Sequence, residues 1–252
     1  IDSFTNKVFG GNPAGVIFHS DPIDETLMQA IAAENNLSET AFINTQNDNQ
    51  IRFFTPELEV DLCGHATLAS AFVFFNYLDK PQDKITFSSK RGELIADKTE
   101  KGIKLILPKD NPEPFAEIDL FSNMLGCKVL EVYRGIDDFM VVVEGETEVK
   151  DLKPDFNEIS KLDSRGLIVT AHGVDVDFVS RWFGPQTGVD EDPVTGSAHT
   201  LLTPYWSQKL GKKIMNAKQL SKRGGFLICE VKDKAIEITG QAKLYLRGSI
   251  EL

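Results

Sequence analysis

Arg52-Phe53-Phe54-Thr55-Pro56-Glu57-Leu58-Glu59-Val60-Asp61 is answered later in the chain by Arg181-Trp182-Phe183-Gly184-Pro185-Gln186-Thr187-Gly188-Val189-Asp190, with Arg, Phe, Pro, Val and Asp shared. Each copy leads into small residues, Cys63-Gly64-His65-Ala66 in the first and Thr195-Gly196-Ser197-Ala198 in the second, and then into an apolar helix. Ten-residue matches arise by chance when many offsets are tried. Here both copies are joined to the same downstream event, a Gly-led helix, so a strand–turn–helix unit is used twice. The copies lie about 130 residues apart, too far for a solenoid, which predicts two similar domains facing each other.

Working outward, alternating and β-branched stretches mark short strands from Val16–Phe18 to Ala235–Thr239, mostly separated by turn residues. Helical spacing marks Ile23–Asn35, Cys63–Leu78 and Thr195–Leu210, and more weakly Glu117–Leu125 and Lys153–Lys161. The pattern predicts mostly antiparallel β with a few long helices. The Pro-rich segment Pro108–Pro114 near the midpoint reads as the linker. That places an N-terminal domain at 1–112 around a helix near 64–78, and a C-terminal domain at 113–252 around a helix near 196–210. The last strand is free to return to the first domain.

Composition narrows the function. A formal charge of −11 and a pI near 4.9, with Lys and Arg scattered, argue against nucleic acid and anionic membranes as partners. Apolar runs such as Ala69–Phe75 are far short of a membrane span. Three cysteines without a CxxC pair fit a reducing cytoplasm better than a disulfide framework or zinc knuckle. The four histidines show no metal-ligand spacing, so no metal is expected; His65 and His199, one and three residues after the repeat glycines, read as cleft residues. Gly10–Gly15 is glycine-rich but has neither the GxGxxG spacing nor the trailing Lys of a phosphate loop.

A helix start offers unpaired backbone N–H groups and partial positive charge, so it can hold an anion without Arg or Lys. Gly64 and Gly196, with Ala66 and Thr195 beside them, are the candidate substrate-binding positions. If a twofold relates the halves, both starts can point at one cleft and hold a carboxylate whose α-carbon loses a proton. Glu39, at a helix-to-strand junction, is the candidate base, and His65 a second acid/base or carboxylate ligand. On the residues alone, Ser38 and Glu39 read more readily as polar loop residues and His65 as a structural hydrogen-bonder. Asp192 can cap the second helix, and Ser197 can be a helix-start residue or a hydroxyl donor to substrate. Cys63 invites a thiol-base reading, but its counterpart is Thr195, which disfavours a symmetric two-thiol epimerase.

Four segments together, Asp2–Thr5 with Gly11–Val16, Asn36–Phe42, Cys63–Ala69 and Asp192–Ala198, resemble the phenazine-biosynthesis PhzF-like family in its own order across nearly the whole chain. The resemblance implies an α+β, diaminopimelate epimerase-like fold, with two pseudo-symmetric β-barrel-type domains each around a central helix. It implies an isomerase without metal or organic cofactor, usually a homodimer, acting on a small-molecule acid. It places the proton-shuttling glutamate on Glu39 and the supporting groups on His65, Asp192 and Ser197, with Gly64 contributing backbone amide. Related racemases use two opposed cysteines, and here only Cys63 is a thiol. The competing expectations are an amino-acid epimerase or racemase, and a non-catalytic small-acid-binding protein.

Overall fold

The computed structural model describes residues 1–78 and 82–251, which fold as two compact units, residues 1–106 with 239–252 and residues 107–238. The elements in chain order begin with β1 (Asp2–Ser3), β2 (Asn12–His19), α1 (Glu25–Asn35), β3 (Glu39–Asn44), β4 (Gln50–Phe54), β5 (Glu59–Val60), α2 (Gly64–Tyr77), β6 (Lys84–Ser89), β7 (Gly92–Thr99) and β8 (Gly102–Pro108). They continue with β9 (Glu113–Pro114), α3 (Ile118–Leu125), β10 (Val129–Arg134), β11 (Asp138–Val143), α4 (Glu146–Asp151), α5 (Phe156–Ile159), β12 (Gly166–His172), β13 (Phe178–Gly184) and β14 (Val189–Asp192). The last are α6 (His199–Leu210), β15 (Ile214–Gln219), β16 (Gly225–Val231), β17 (Ala235–Gly240) and β18 (Ala242–Lys243).

In the first unit β1 pairs antiparallel with β2, β2 runs parallel to β3, and β3 is antiparallel to β4. β4 then runs parallel to β6, from which β7 and β8 follow as an antiparallel meander. The second unit repeats the scheme: β10 antiparallel to β11, β11 parallel to β12, β12 antiparallel to β13, β13 parallel to β15, β15 antiparallel to β16. The duplication read from Arg52 and Arg181 is thus a duplication of topology. The pairings are mostly antiparallel, as expected, and the parallel ones among them have a physical reason. A parallel neighbour needs a crossover, and the helices read correctly as helices are those crossovers.

In each unit one helix is encased. α2 is buried around nearly its whole circumference, from Gly64 to Ala71 and again at Phe74 and Phe75. Its polar side chains turn inward on its own backbone, Thr67 Oγ1 donating to the Cys63 carbonyl and Ser70 Oγ to that of Ala66, both at 2.7 Å. α6 buries Leu201, Leu202, Tyr205 and Trp206. It carries Pro204, which cannot donate to the carbonyl of Thr200; the N–H of Asp110 donates to that carbonyl instead, at 3.2 Å. The segment read as a linker is therefore stitched in: Asp110 meets α6, and β9 pairs with β10. A separate cluster around Phe121, Val141, Leu167 and Phe183 fills the outer side of the second unit.

The helix expected from Gly196 starts at His199, because residues 195–198 form tight turns first, with Ala198 N–H donating to Thr195 O and His199 N–H to Gly196 O. α4 and the strands β5, β9, β14, β15 and β18 fall outside the sequence reading; all but β15 are short, and β15 (Ile-Met-Asn-Ala-Lys-Gln) lacks β-branched density. Among the described residues, no helix is long and apolar enough to cross a membrane.

Candidate active site

Four elements of the first unit converge on one imidazole. His65 sits in the first turn of α2 and is 4% exposed. Ser3 Oγ on β1 donates to its carbonyl at 2.8 Å, fixing the backbone of that turn. Asn12, the register partner of Ser3 across β1 and β2, meets the ring: its Nδ2 lies 3.0 Å from His65 Nδ1. The approach of β1 to the preceding turn requires glycine at Gly11, where φ is +63° and a Cβ would lie 2.0 Å from the carbonyl oxygen of Ser3. Glu39 opens β3, and its Oε2 lies 3.1 Å from His65 Nε2. Cys63 Sγ lies 3.4 Å from Nδ1. Sequence reasoning singled out Glu39, Cys63 and His65 but passed over Asn12, although it stands in the quoted Gly-Asn-Pro segment.

The electrostatics of this cluster are uneven. Burial, then the neighbouring Glu39 carboxylate, push the Cys63 thiol up to about 11, so it keeps its proton at neutral pH. For His65, burial opposes a charge on the ring, while Cys63 and Glu39 favour it and prevail, holding the imidazole well above its ordinary 6.5. Glu39 Oε2 is sealed from solvent, and its contact is the imidazole Nε2. Glu39, Cys63 and His65 bring an oxygen, a sulfur and a nitrogen within 4.8 Å of one another. Both ring nitrogens are already engaged, Nδ1 by Asn12 and Cys63 and Nε2 by Glu39.

Of the helix-start positions in this unit, Gly64 is buried at the head of α2, and the N–H of Ala66 is turned to the Cys63 sulfur.

The second unit holds Asp192, Thr195, Gly196 and Ser197. Thr195 Oγ1 donates to Asp192 Oδ2 at 2.5 Å, and the Thr195 N–H donates to Gln219 Oε1 at 2.8 Å. Gln219 Nε2 returns to the Asp192 carbonyl at 2.8 Å, so one buried amide braces the loop from both ends. Ser197, part-exposed, accepts from Arg165 Nη1 at 2.8 Å, which leaves its own O–H to donate elsewhere. Arg165 is held in turn by both oxygens of the buried Asp138. Arg165, Asp138 and Gln219 gave no sequence signal, because nothing in their spacing marks them as neighbours of Ser197.

His199, the other histidine expected in a cleft, is instead fully buried against Phe178, its Nδ1 donating to the Thr195 carbonyl at 2.9 Å. Burial lowers its pKa to about 4. It is a neutral core residue, correcting that reading.

Known proteins place the chain. The family model described as phenazine biosynthesis-like protein matches residues 1–248. The chain belongs to that family. A Pseudomonas aeruginosa protein named an uncharacterized isomerase is 46% identical over 253 residues, covering all of this chain and 97% of the relative. The crystal structure of an Enterococcus faecalis member of the PhzF family superposes with a TM-score of 0.96 at 45% identity, covering 100% of this chain and 97% of that one. A protein described as a probable proline racemase from Agrobacterium radiobacter, 9% identical, shares the fold alone, with a TM-score of 0.63 over 94% of this chain and 91% of its own. The phenazine biosynthesis-like chain has the diaminopimelate epimerase-like fold and is an isomerase by class.

Proposed function

We propose that the chain is a one-base isomerase that moves a proton on a small carboxylate-bearing substrate without metal or organic cofactor, with Glu39 as the acid/base. The observation that carries this reading is the contact of Glu39 Oε2, sealed from solvent, with His65 Nε2 at 3.1 Å. A carboxylate paired with an imidazole can pass a proton between substrate and ring. When Glu39 takes that proton its charge disappears, and His65 loses the partner that favoured its own charge. The imidazolium becomes more acidic at the moment the substrate carbanion needs a proton or hydrogen bond. Gly64 supplies a helix-start N–H for the substrate's carboxylate.

The family resemblance gives Asp192 and Ser197 substrate-contacting roles, and Thr195 and Gly196 a share in binding. Their own geometry supports it, since Arg165 donates to Ser197 Oγ and so frees the hydroxyl proton for a ligand. Cys63, protonated until about pH 11, has no place as a base, which sets the two-thiol epimerase route aside. A cytoplasmic homodimer belongs to the same reading; the free thiols of Cys63, Cys127 and Cys229 support the location.

The test is proton exchange. Purified enzyme in D2O is incubated with small cyclic and aromatic amino and hydroxy acids while loss of C–H signals is followed by NMR. For any compound exchanged, Glu39→Gln should slow exchange by about 10²–10⁴-fold. Undiminished exchange in Glu39→Gln would overturn the mechanism.

A further inference from the structure

We infer that Asn12 is the positioning residue of the Glu39–His65 pair: its buried amide turns over to follow the protonation of His65, presenting NH2 to a bare Nδ1 and its carbonyl oxygen to a protonated one. The inference deepens the proton-shuttling reading above and rests on it for its purpose, though not for its test.

A buried imidazole that gains and loses a proton faces a problem at the nitrogen away from its catalytic partner. If that nitrogen faces only donors, the cationic ring strands a buried N–H; if only acceptors, the neutral ring strands a lone pair. Either penalty would lock His65 in one state. Asn12 is fully buried, sits on β2 directly against Nδ1, and carries a donor and an acceptor of nearly identical shape exchanged by rotation of the side-chain amide. The structure shows one of the two settings, Nδ2 donating to Nδ1 at 3.0 Å, which suits the neutral ring. The Glu39 carboxylate on the other side favours the cationic ring, which the second setting suits. The groups facing His65 are Glu39 from β3, Cys63 from the start of α2, Asn12 from β2, and Ser3 from β1 on its backbone. Of the two titratable ones, Glu39 contacts Nε2; at Nδ1 the Cys63 thiol can donate or accept only weakly, at 3.4 Å, so Asn12 at 3.0 Å is the stronger group able to change sign. His199 differs: the Thr195 carbonyl at its Nδ1 favours the cation, but burial outweighs it and the ring stays neutral.

The experiment is nitrogen-detected histidine NMR on the full chain across pH, with His65→Gln identifying the His65 signals; it needs no substrate. In the wild type, the Asn12 side-chain NH2 resonances should shift with the same midpoint as the His65 ring. Asn12→Leu, isosteric and apolar, should lower the His65 midpoint by about one pH unit, because the cation loses its acceptor. Asn12→Asp, which can only accept, should raise it by about one unit or more. A His65 midpoint unmoved in both variants overturns the inference, as does a wild-type Asn12 amide that stays still while His65 titrates. That wild-type measurement decides the matter even where a variant fails to fold. Failure of Glu39→Gln to slow exchange would sink the catalytic reading and leave this one standing.

Discussion

The two units share a scaffold and diverge at the register positions that carry the candidate site residues. The first residue of β3, Glu39, pairs with Ala14 on the strand beside it; the first residue of β12, Gly166, pairs with Asp138. Where one unit has a carboxylate facing an imidazole, the other has no side chain, and its acid lies on the neighbouring strand tied to Arg165. The helix starts diverge likewise. Cys63-Gly64-His65-Ala66-Thr67 stands against Thr195-Gly196-Ser197-Ala198-His199, so the counterpart of His65 is Ser197 and that of His199 is Thr67. Thr67 Oγ1 and His199 Nδ1 do the same task, donating to the carbonyl four residues back. The two units share the frame, and the contact of a carboxylate with an imidazole at these positions belongs to the first of them.

If that division is right, the largest contrast is between the two buried histidines. His65→Gln should cut turnover of an exchanged acid by about 10² or more, since it removes the ring that answers Glu39. His199→Gln keeps a donor for the Thr195 carbonyl and should leave turnover as it is. Steady-state rates on both variants, with folding checked by near-ultraviolet circular dichroism, make the comparison; equal losses would break it.

The shared arginines sharpen the comparison through stability. Arg52 is bound by Glu59 and Glu25 and lies over the ring of Phe54; Arg181 is bound by Glu191 and lies over Phe183. The motif is the same, the depth is not. Arg52's side chain is 21% exposed, whereas Arg181's is 11% exposed and also donates to the carbonyls of Val149 and Leu152 where α4 ends. Arg181→Met should therefore cost about 3–5 kcal/mol, stranding Glu191 and two carbonyls, and Arg52→Met about 1 kcal/mol or less. Urea midpoints of the two variants decide it, and similar losses would show that depth is not what separates them.

These differences explain how far the sequence could be read. The repeat was legible because Arg, Phe and Pro recur for structural reasons, and family membership because contiguous segments carry it. The Glu39–His65 contact joins residues 26 positions apart, and no periodicity announces such a pair. Asn12 is visible as part of a motif, but its task exists only once β1 and β2 carry it onto α2. The ungapped match of the two copies also conceals a slip. In the second unit a 3₁₀ turn at Pro185–Thr187 and a shift between Trp182 and Gly184 lengthen the return, so the glutamate serving Arg181 is Glu191, ten residues on, while Glu59 follows Arg52 by seven.

Acid should expose the neutral histidine. The folded pKa of His199, about 4, lies below its ordinary 6.5, because burial disfavours the cation. A depressed value means that His199 contributes stability fully present above pH 6.5 and lost as pH falls from 6.5 towards 4, at up to about 1.4 kcal/mol per pH unit. His199→Gln removes that linkage. The gap between wild-type and variant urea midpoints should narrow between pH 7 and pH 4.5, and a constant gap would mean that His199 does not titrate on unfolding.

The smallest effect tests why the second unit has no residue at the Glu39 position. A Cβ on Gly166 would lie 2.3 Å from the ring of Trp182, and one on Gly184 2.2 Å from its far edge, so two glycines make the slot for that indole. The first unit has Phe53 at the Trp182 register, a smaller ring, and tolerates side chains at Glu39 and Thr55. Gly166→Ala alone should cost about 1–3 kcal/mol by overpacking, and Trp182→Phe alone about 1–2 kcal/mol for the space it opens. Combined, the smaller ring should admit the methyl, so the double variant should be about 1 kcal/mol more stable than the sum of the single losses. Additive losses in a denaturation cycle would mean that the Gly166 backbone, and not the indole, excludes a side chain there. The placing of the acid in only one unit would then need an explanation other than Trp182.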